Sequence, residues 1–345
     1  MHVVACLASR LASVVVLLAV ASRPGYAAPA VTPLLLTGQV AVGIYQQALP
    51  NDVSKLTSYE QAAGQHVAIV HWYAVWGGWK SAFSESDLDA VAERDSIPLI
   101  TWEPWTGDAA PTPDPEWSLR RAILSGRSDA YIESWARGLA EYGRPVLLRF
   151  AQEMNDQPAY PWAVGVNGNT AEDYVAAWRH VHAIFTRWHA DNVQWVWNPN
   201  DLGDAPASTY AEVYRSVYPG DDVVDWLGLD VFNTGPELNW GRPAWASFSD
   251  ILAQPYAAIS SLSDRPVILP EVGSTETGGS KATWLSSALT SELASFPRVR
   301  AVVWFDVQKE QPWNLDSSPA SMQAWLRTLS QLGARQAAAR APEDP

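Results

Sequence analysis

Short apolar runs alternate with amphipathic stretches along most of the chain. The runs at residues 40–45, 67–72, 97–102, 145–150, 193–197, 224–231, 266–269 and 299–305 have the length of strands and few polar interruptions, the pattern of strands buried on both faces. Between them, 53–63, 84–94, 129–142, 170–189, 210–217, 248–262, 281–293 and 321–332 read as helices. The fourth helix is the clearest, with Tyr174, Ala177, Trp178, Val181, Ile184, Phe185 and Trp188 at a 3.6-residue period. Ser84 or Ser86 can cap the second, with Glu85, Asp87 and Asp89 in or near its first turn. Pro255 predicts a kink or break in the sixth.

Eight strand and helix pairs predict a parallel sheet closed into a (β/α)8 barrel, one α/β domain over residues 38–332. Residues 29–37 read as a linker and 333–345 as a flexible tail. An open doubly wound sheet is the alternative. It commonly binds phosphates through a glycine-rich loop, and neither GxGxxG nor GxxxxGK[ST] occurs.

A barrel of this kind builds its site at the C-terminal ends of its strands. Those ends carry five acids, Glu103, Glu153, Asp230, Glu271 and Asp306, together with Trp102, Trp105, Trp197 and Trp304 and the amides Asn155, Asn198 and Asn200. Glu153 ends the stretch RPVLLRFAQEMN, flanked by Gln152 and Asn155, with Arg149 inside the strand on the same alternating face. Indoles pack on sugar faces, amides bond hydroxyls, and two acids can break a glycosidic bond. One acid protonates the leaving oxygen and the other attacks or stabilises the anomeric carbon. Arg149 is a charge that could keep the second acid ionised. Position alone does not choose two acids from five.

Composition narrows the partners. The chain carries 19 Trp and a net charge of −14, which argues against nucleic acid and anionic membranes, since both require clustered cations. For any single Trp, packing is the better reading. Arg10, an apolar run at 11–20 and the small residues around Tyr26-Ala27-Ala28 read as a secretory signal over residues 1–28. The run is too short to span a membrane. Cys6, the single cysteine, falls inside that signal, so the exported chain is expected to rely on packing without disulfides. His180, His182 and His189 are not spaced as metal ligands, no HExxH or GxSxG motif occurs, and His71 lies near the rim where it could meet a ligand. A monomer needing no metal and no cofactor is expected.

The segments ITWEPW, LLRFAQEMN, PWAVGVNGNTAEDYVAAWRHVHAIF, VQWVWNPND, VDWLGLDVFN, PEVGS and VVWFD resemble, in that order, glycoside hydrolase family 26, a family of β-mannanases with some β-glucanase and β-xylanase members. The resemblance implies a secreted retaining endo-hydrolase acting on a neutral β-linked polysaccharide, β-1,4-mannan or β-1,3-1,4-glucan. Glu153 falls where the family has its acid/base and Glu271 where it has its nucleophile. A retaining pair stands about 5 to 5.5 Å apart. Arg149, Gln152, Asn155, Asn198, Asp230 and Phe232 are the expected polar and wall contacts. Trp102, Trp162, Trp197 and Trp304 are the expected stacking platforms. Three positions depart from the family pattern: Gln152 replaces a His before the acid, Phe232 replaces a Tyr whose hydroxyl would reach the nucleophile, and Pro158-Ala159 displaces an aromatic, leaving Tyr160 or Trp162 to replace it. A non-hydrolytic polysaccharide-binding protein on the same scaffold is the alternative.

Overall fold

The structure, a computed structural model, describes residues 40–107, 114–155, 160–238 and 244–340. The expected signal and linker, the final residues of the expected tail and the Pro158-Ala159 departure lie outside them. Strands β1 (Ala41–Tyr45), β2 (Ile69–Val75), β3 (Ile97–Glu103), β4 (Val146–Phe150), β5 (Val193–Trp197), β6 (Trp226–Gly228), β7 (Val231–Asn233), β8 (Val267–Ser274) and β9 (Val299–Phe305) pair in parallel. β6 pairs with both β5 and β8, and β1 with both β2 and β9, so the sheet closes. β6 and β7 are two halves of one barrel strand interrupted at Leu229 and Asp230, so the fold is the (β/α)8 barrel the alternation predicts.

The helices that follow the strands are α1 (Ser54–Ala63), α2 (Glu85–Ala92), α3 (Asp129–Tyr142), α4 (Ala171–Arg187), α5 (Ala207–Val217), α6 (Phe248–Ser260), α7 (Lys281–Ser287) and α8 (Pro319–Arg340). Local chemistry sets their starts. The Ser84 side chain accepts from the Asp87 amide, and Thr170 with Asp173 and Ser247 with Asp250 form capping boxes. Pro255 does not break α6, because its ring is buried against the core within a continuous helix. α8 runs past its predicted end at Leu332, through an Ala-rich stretch of high helix propensity.

Alternation along the strands sorts side chains into two cores. Ala41, Ile69, Ile97, Leu99, Leu147, Val196, Trp226, Ile268, Ala301 and Val303 fill the lower barrel lumen. The much larger cluster lies between the strands and the helices. Gly43 sits where the lumen is tightest: an added Cβ would stand 2.8 Å from both Ile69 and Val303. Following the same lumen face upward, Ile69 leads to His71 and Tyr73, Leu99 to Thr101 and Glu103, and Leu147 to Arg149. A polar layer therefore caps the apolar one, and the site rests on it.

Candidate active site

The base of the site is Arg149, fully buried at the centre of the lumen. Its Nε donates to Asn198 Oδ1 at 3.0 Å, its Nη2 to Asp230 Oδ2 at 2.5 Å and its Nη1 to Glu271 Oε1. Asn198 Nδ2 also donates to Asp230, at 2.9 Å. The fork of one guanidinium thus holds two carboxylates and an amide in a fixed relation. His71 lies beside it, fully buried, with Nε2 2.7 Å from Thr101 Oγ1. Burial and then the Arg149 charge push the His71 imidazole well below its ordinary range, so it is neutral. It supports the layer from beneath and does not reach the cleft surface, contrary to the rim position expected.

Above this layer opens a cleft of about 870 Å³, lined among others by Glu103, Glu153, Asp230 and Glu271, with Tyr45, Tyr73, Trp105, Tyr160 and Phe232. Glu271 lies within β8, which runs on to Ser274 beyond its predicted end, and its Oε1 accepts from Tyr73 as well as from Arg149. Glu153 follows β4 on a strained turn, with φ of +43° at Ala151 and +53° at Glu153. Non-glycine residues in this region cost about 1–3 kcal/mol each. Glu153 N donates to Asn198 O at 2.7 Å and Ala151 N to Trp102 O at 3.2 Å, which hold the turn in place. Tyr160 donates its hydroxyl to Glu153 Oε2 at 3.0 Å.

Glu103 is a third carboxylate, committed to its neighbours. It accepts from Gln152 Nε2 at 2.7 Å and from Trp105 Nε1 at 2.9 Å. Burial raises its carboxyl above the ordinary range, opposed by those two hydrogen bonds and the Arg149 charge. Burial likewise raises Asp230, against the pull of Arg149 and with a further push from Glu271. Trp105 meets Tyr160 edge-on with centroids 5.9 Å apart. Glu103 thereby orients the indole that backs the tyrosine bonded to Glu153.

The expected contacts separate into three groups. Tyr160, Asp230 and Phe232 line the cleft. Arg149, Gln152 and Asn198 are buried directly beneath it, while Asn155 bonds Asn200 through both its amide atoms and ties the β4 and β5 loops together. Trp102, Trp162, Trp197 and Trp304 are fully buried away from it, which corrects their assignment as platforms. Trp102 packs on Trp76, Trp135, Phe150 and Phe185. Trp197 donates to Val217 O and Trp304 to Trp313 O, both on the helix side of the barrel. Trp162 donates to Gln152 O at 2.8 Å and stacks beneath Tyr160 with centroids 4.4 Å apart. For the three on or beside strand ends the reason is parity: Glu103, Asn198 and Phe305 occupy the lumen face, so Trp102, Trp197 and Trp304 must face the helices.

Asp306, the fifth rim acid, is also withdrawn. It accepts from Gln46 and the Leu315 amide at 2.7 and 2.6 Å and pairs with Lys55 at 3.2 Å. Sequence reasoning missed Tyr45, Tyr73, Phe305 and Lys309 in the cleft. Among the described residues, no group of three or more His, Cys, Asp or Glu side chains is placed to hold a metal ion, and no helix is long and apolar enough to cross a membrane.

Comparison with known proteins gives a consistent picture. The glycosyl hydrolase family 26 model matches residues 120–260. Endoglucanase H of Acetivibrio thermocellus is 34% identical over 295 residues, 84% of this chain and 30% of that protein. The β-1,3-xylanase TXYA of a Vibrio species is 35% identical over 200 residues, 55% of this chain and 38% of that protein. The chain therefore spans well under half the length of either relative. The fold matches a β-mannanase structure from Bacteroides ovatus with a TM-score of 0.60 at 16% identity, covering 86% of this chain and 90% of that one.

Proposed function

Because the chain belongs to glycosyl hydrolase family 26, we propose that it is a retaining endo-β-glycosidase acting on a neutral β-linked polysaccharide, with β-glucan as the preferred backbone. The observation that carries this reading is a cleft in which two of the lining carboxylates, Glu271 and Glu153, are held by different groups. Glu271 receives a guanidinium and a phenol on one oxygen, the setting of a carboxylate that attacks. Glu153 accepts from the Tyr160 hydroxyl, and Tyr160 is backed by the Trp105 and Trp162 rings. That is the setting of an acid that hands over a proton and takes one back.

In the first step Glu271 attacks the anomeric carbon and the glycosidic bond breaks, its oxygen taking the proton of Glu153. Water then attacks the same carbon, its proton passes to Glu153, and the ester bond breaks with the electron pair returning to Glu271. Trp105, Tyr45 and Phe232 are among the aromatic surfaces available to sugar rings, and Asp230 is one acceptor for hydroxyls. A cleft of about 870 Å³ accommodates several rings, which favours cutting within a chain. Glucan is preferred over mannan because the likeness to an endoglucanase extends over 84% of this chain. The signal-like N-terminus supports secretion.

The test is incubation with mixed-linkage β-glucan, β-1,4-mannan and β-1,3-xylan, reading reducing ends and the anomer first formed. The reading expects the fastest cleavage on glucan with the β-anomer released first. Binding to all three without new reducing ends, or release of the α-anomer, would overturn it.

A further inference from the structure

The sequence places Phe232 where the family carries the tyrosine of its sixth strand, and the structure supplies a phenol to Glu271 from another side of the barrel. Tyr73 lies near the top of β2, two residues above His71 on the lumen face. Its hydroxyl donates to Glu271 Oε1, the oxygen that also accepts from Arg149 Nη1. Among the described residues no hydrogen bond reaches Oε2 of Glu271, and the side chain retains 10% exposure toward the cleft. Both donors on one oxygen leave the other free to bond carbon.

We infer that Tyr73 is the positioning residue that makes Glu271 a good leaving group in the second half of the reaction. This rests on the retaining mechanism proposed above. The phenol is fixed by its surroundings: the ring meets Tyr45 edge-on at 5.1 Å and lies tilted on His71 at 5.1 Å. Burial, then the Glu271 charge, raises its ionisation well above the ordinary range, so it acts only as a donor.

The donor discriminates between states of Glu271. As a free carboxylate Glu271 carries charge on Oε1 and takes a charge-assisted bond, whereas as a glycosyl ester its Oε1 is a weakly basic carbonyl. When water attacks the anomeric carbon and the ester carbon–oxygen bond breaks, charge returns to the carboxylate and the Tyr73 bond strengthens. A contact that grows along that step lowers its barrier. In the first step the same contact makes Glu271 less basic and gives no such advantage. Arg149 already bonds the same oxygen through Nη1, and its other hydrogen bonds go to Thr101, Asn198 and Asp230, so it has no second bond to offer in place of the phenol.

The experiment is Tyr73→Phe, assayed by rapid mixing with an activated aryl β-glycoside. The turnover number should fall about tenfold to a hundredfold, the worth of a hydrogen bond to a charged group, and KM should fall with it. kcat/KM should stay within about threefold, and the burst of aryl release should rise toward one per enzyme or stay there. A purely structural role would lower kcat/KM and burst together. If Tyr73→Phe does not fold, 3-fluorotyrosine at position 73 keeps the ring, donates more strongly and should speed steady-state turnover. Wild-type turnover with no rise in the burst for Tyr73→Phe, or slower turnover with 3-fluorotyrosine, overturns the inference and leaves the retaining reading intact. A wild-type enzyme that releases the α-anomer overturns both.

Discussion

Neighbouring residues at the tops of four strands meet opposite fates. Glu103, Arg149, Asn198 and Phe305 face the lumen and build or line the cleft, while Trp102, Phe150, Trp197 and Trp304, one step away, are sealed between strands and helices. The lumen side is polar, tightly hydrogen-bonded and chemically committed. The helix side is an indole layer whose N–H groups in part find backbone carbonyls, as with Trp197 on Val217 and Trp304 on Trp313. A strand residue is thus assigned to chemistry or to packing by its parity before its type counts.

The largest expected effect breaks the lumen side alone. Glu271→Gln and Glu153→Gln should each lose about a thousandfold or more in kcat with melting temperature nearly unchanged, and the double variant should be little worse than either, because the two act as a unit. Additive losses would show that they do not share one site. The helix side should respond in the reverse sense. Trp102→Ala removes a fully buried ring and should cost about 3–5 kcal/mol in denaturant unfolding, while kcat/KM per folded molecule stays within a few-fold. A selective rise in KM without lost stability would return that indole to the cleft.

A smaller effect sharpens the boundary. Trp105 is half-buried and lines the cleft, so Trp105→Ala should raise KM on the polymer by about three- to tenfold, with a modest loss of stability. The smallest expected effect lies far from both faces, at His66, which pairs with Glu60 at 3.0 Å. That hydrogen bond raises the His66 pKa above its ordinary 6.5. The stability it adds is fully present below pH 6.5 and fades as pH rises through the raised value. His66→Ala should therefore lower the melting temperature at pH 5 and hardly at all at pH 8. Half-exposed in solvent, the pair is worth well under 1 kcal/mol.

The order of strands and helices was legible because parallel barrel strands are buried on both faces and read as unbroken apolar runs. The strand tops were not, because their sequence turns polar where the site begins. The apolar runs end at Trp72 and Leu269, whereas β2 continues through Tyr73 and β8 through Glu271. The acids were legible as types at the right ends, and Arg149 as a charge inside a strand. The indoles do not line the cleft as expected, because Trp102 and Glu103, as successive strand residues, cannot both face the lumen. The same alternation, carried from Ile69 through His71, would have found Tyr73. Asp306 gave no such sign, since its partners Gln46 and Lys55 come from the other end of the chain.

The central claim is that Glu271, held by Arg149 and Tyr73, is the carboxylate that bonds sugar. Its most direct test is trapping with a 2-deoxy-2-fluoro β-glucoside bearing an activated leaving group, followed by peptide mass analysis. One adduct per enzyme, on the peptide that contains Glu271 and absent from Glu271→Gln, is the predicted result. An adduct on Glu103, Asp230 or Glu153 would contradict it.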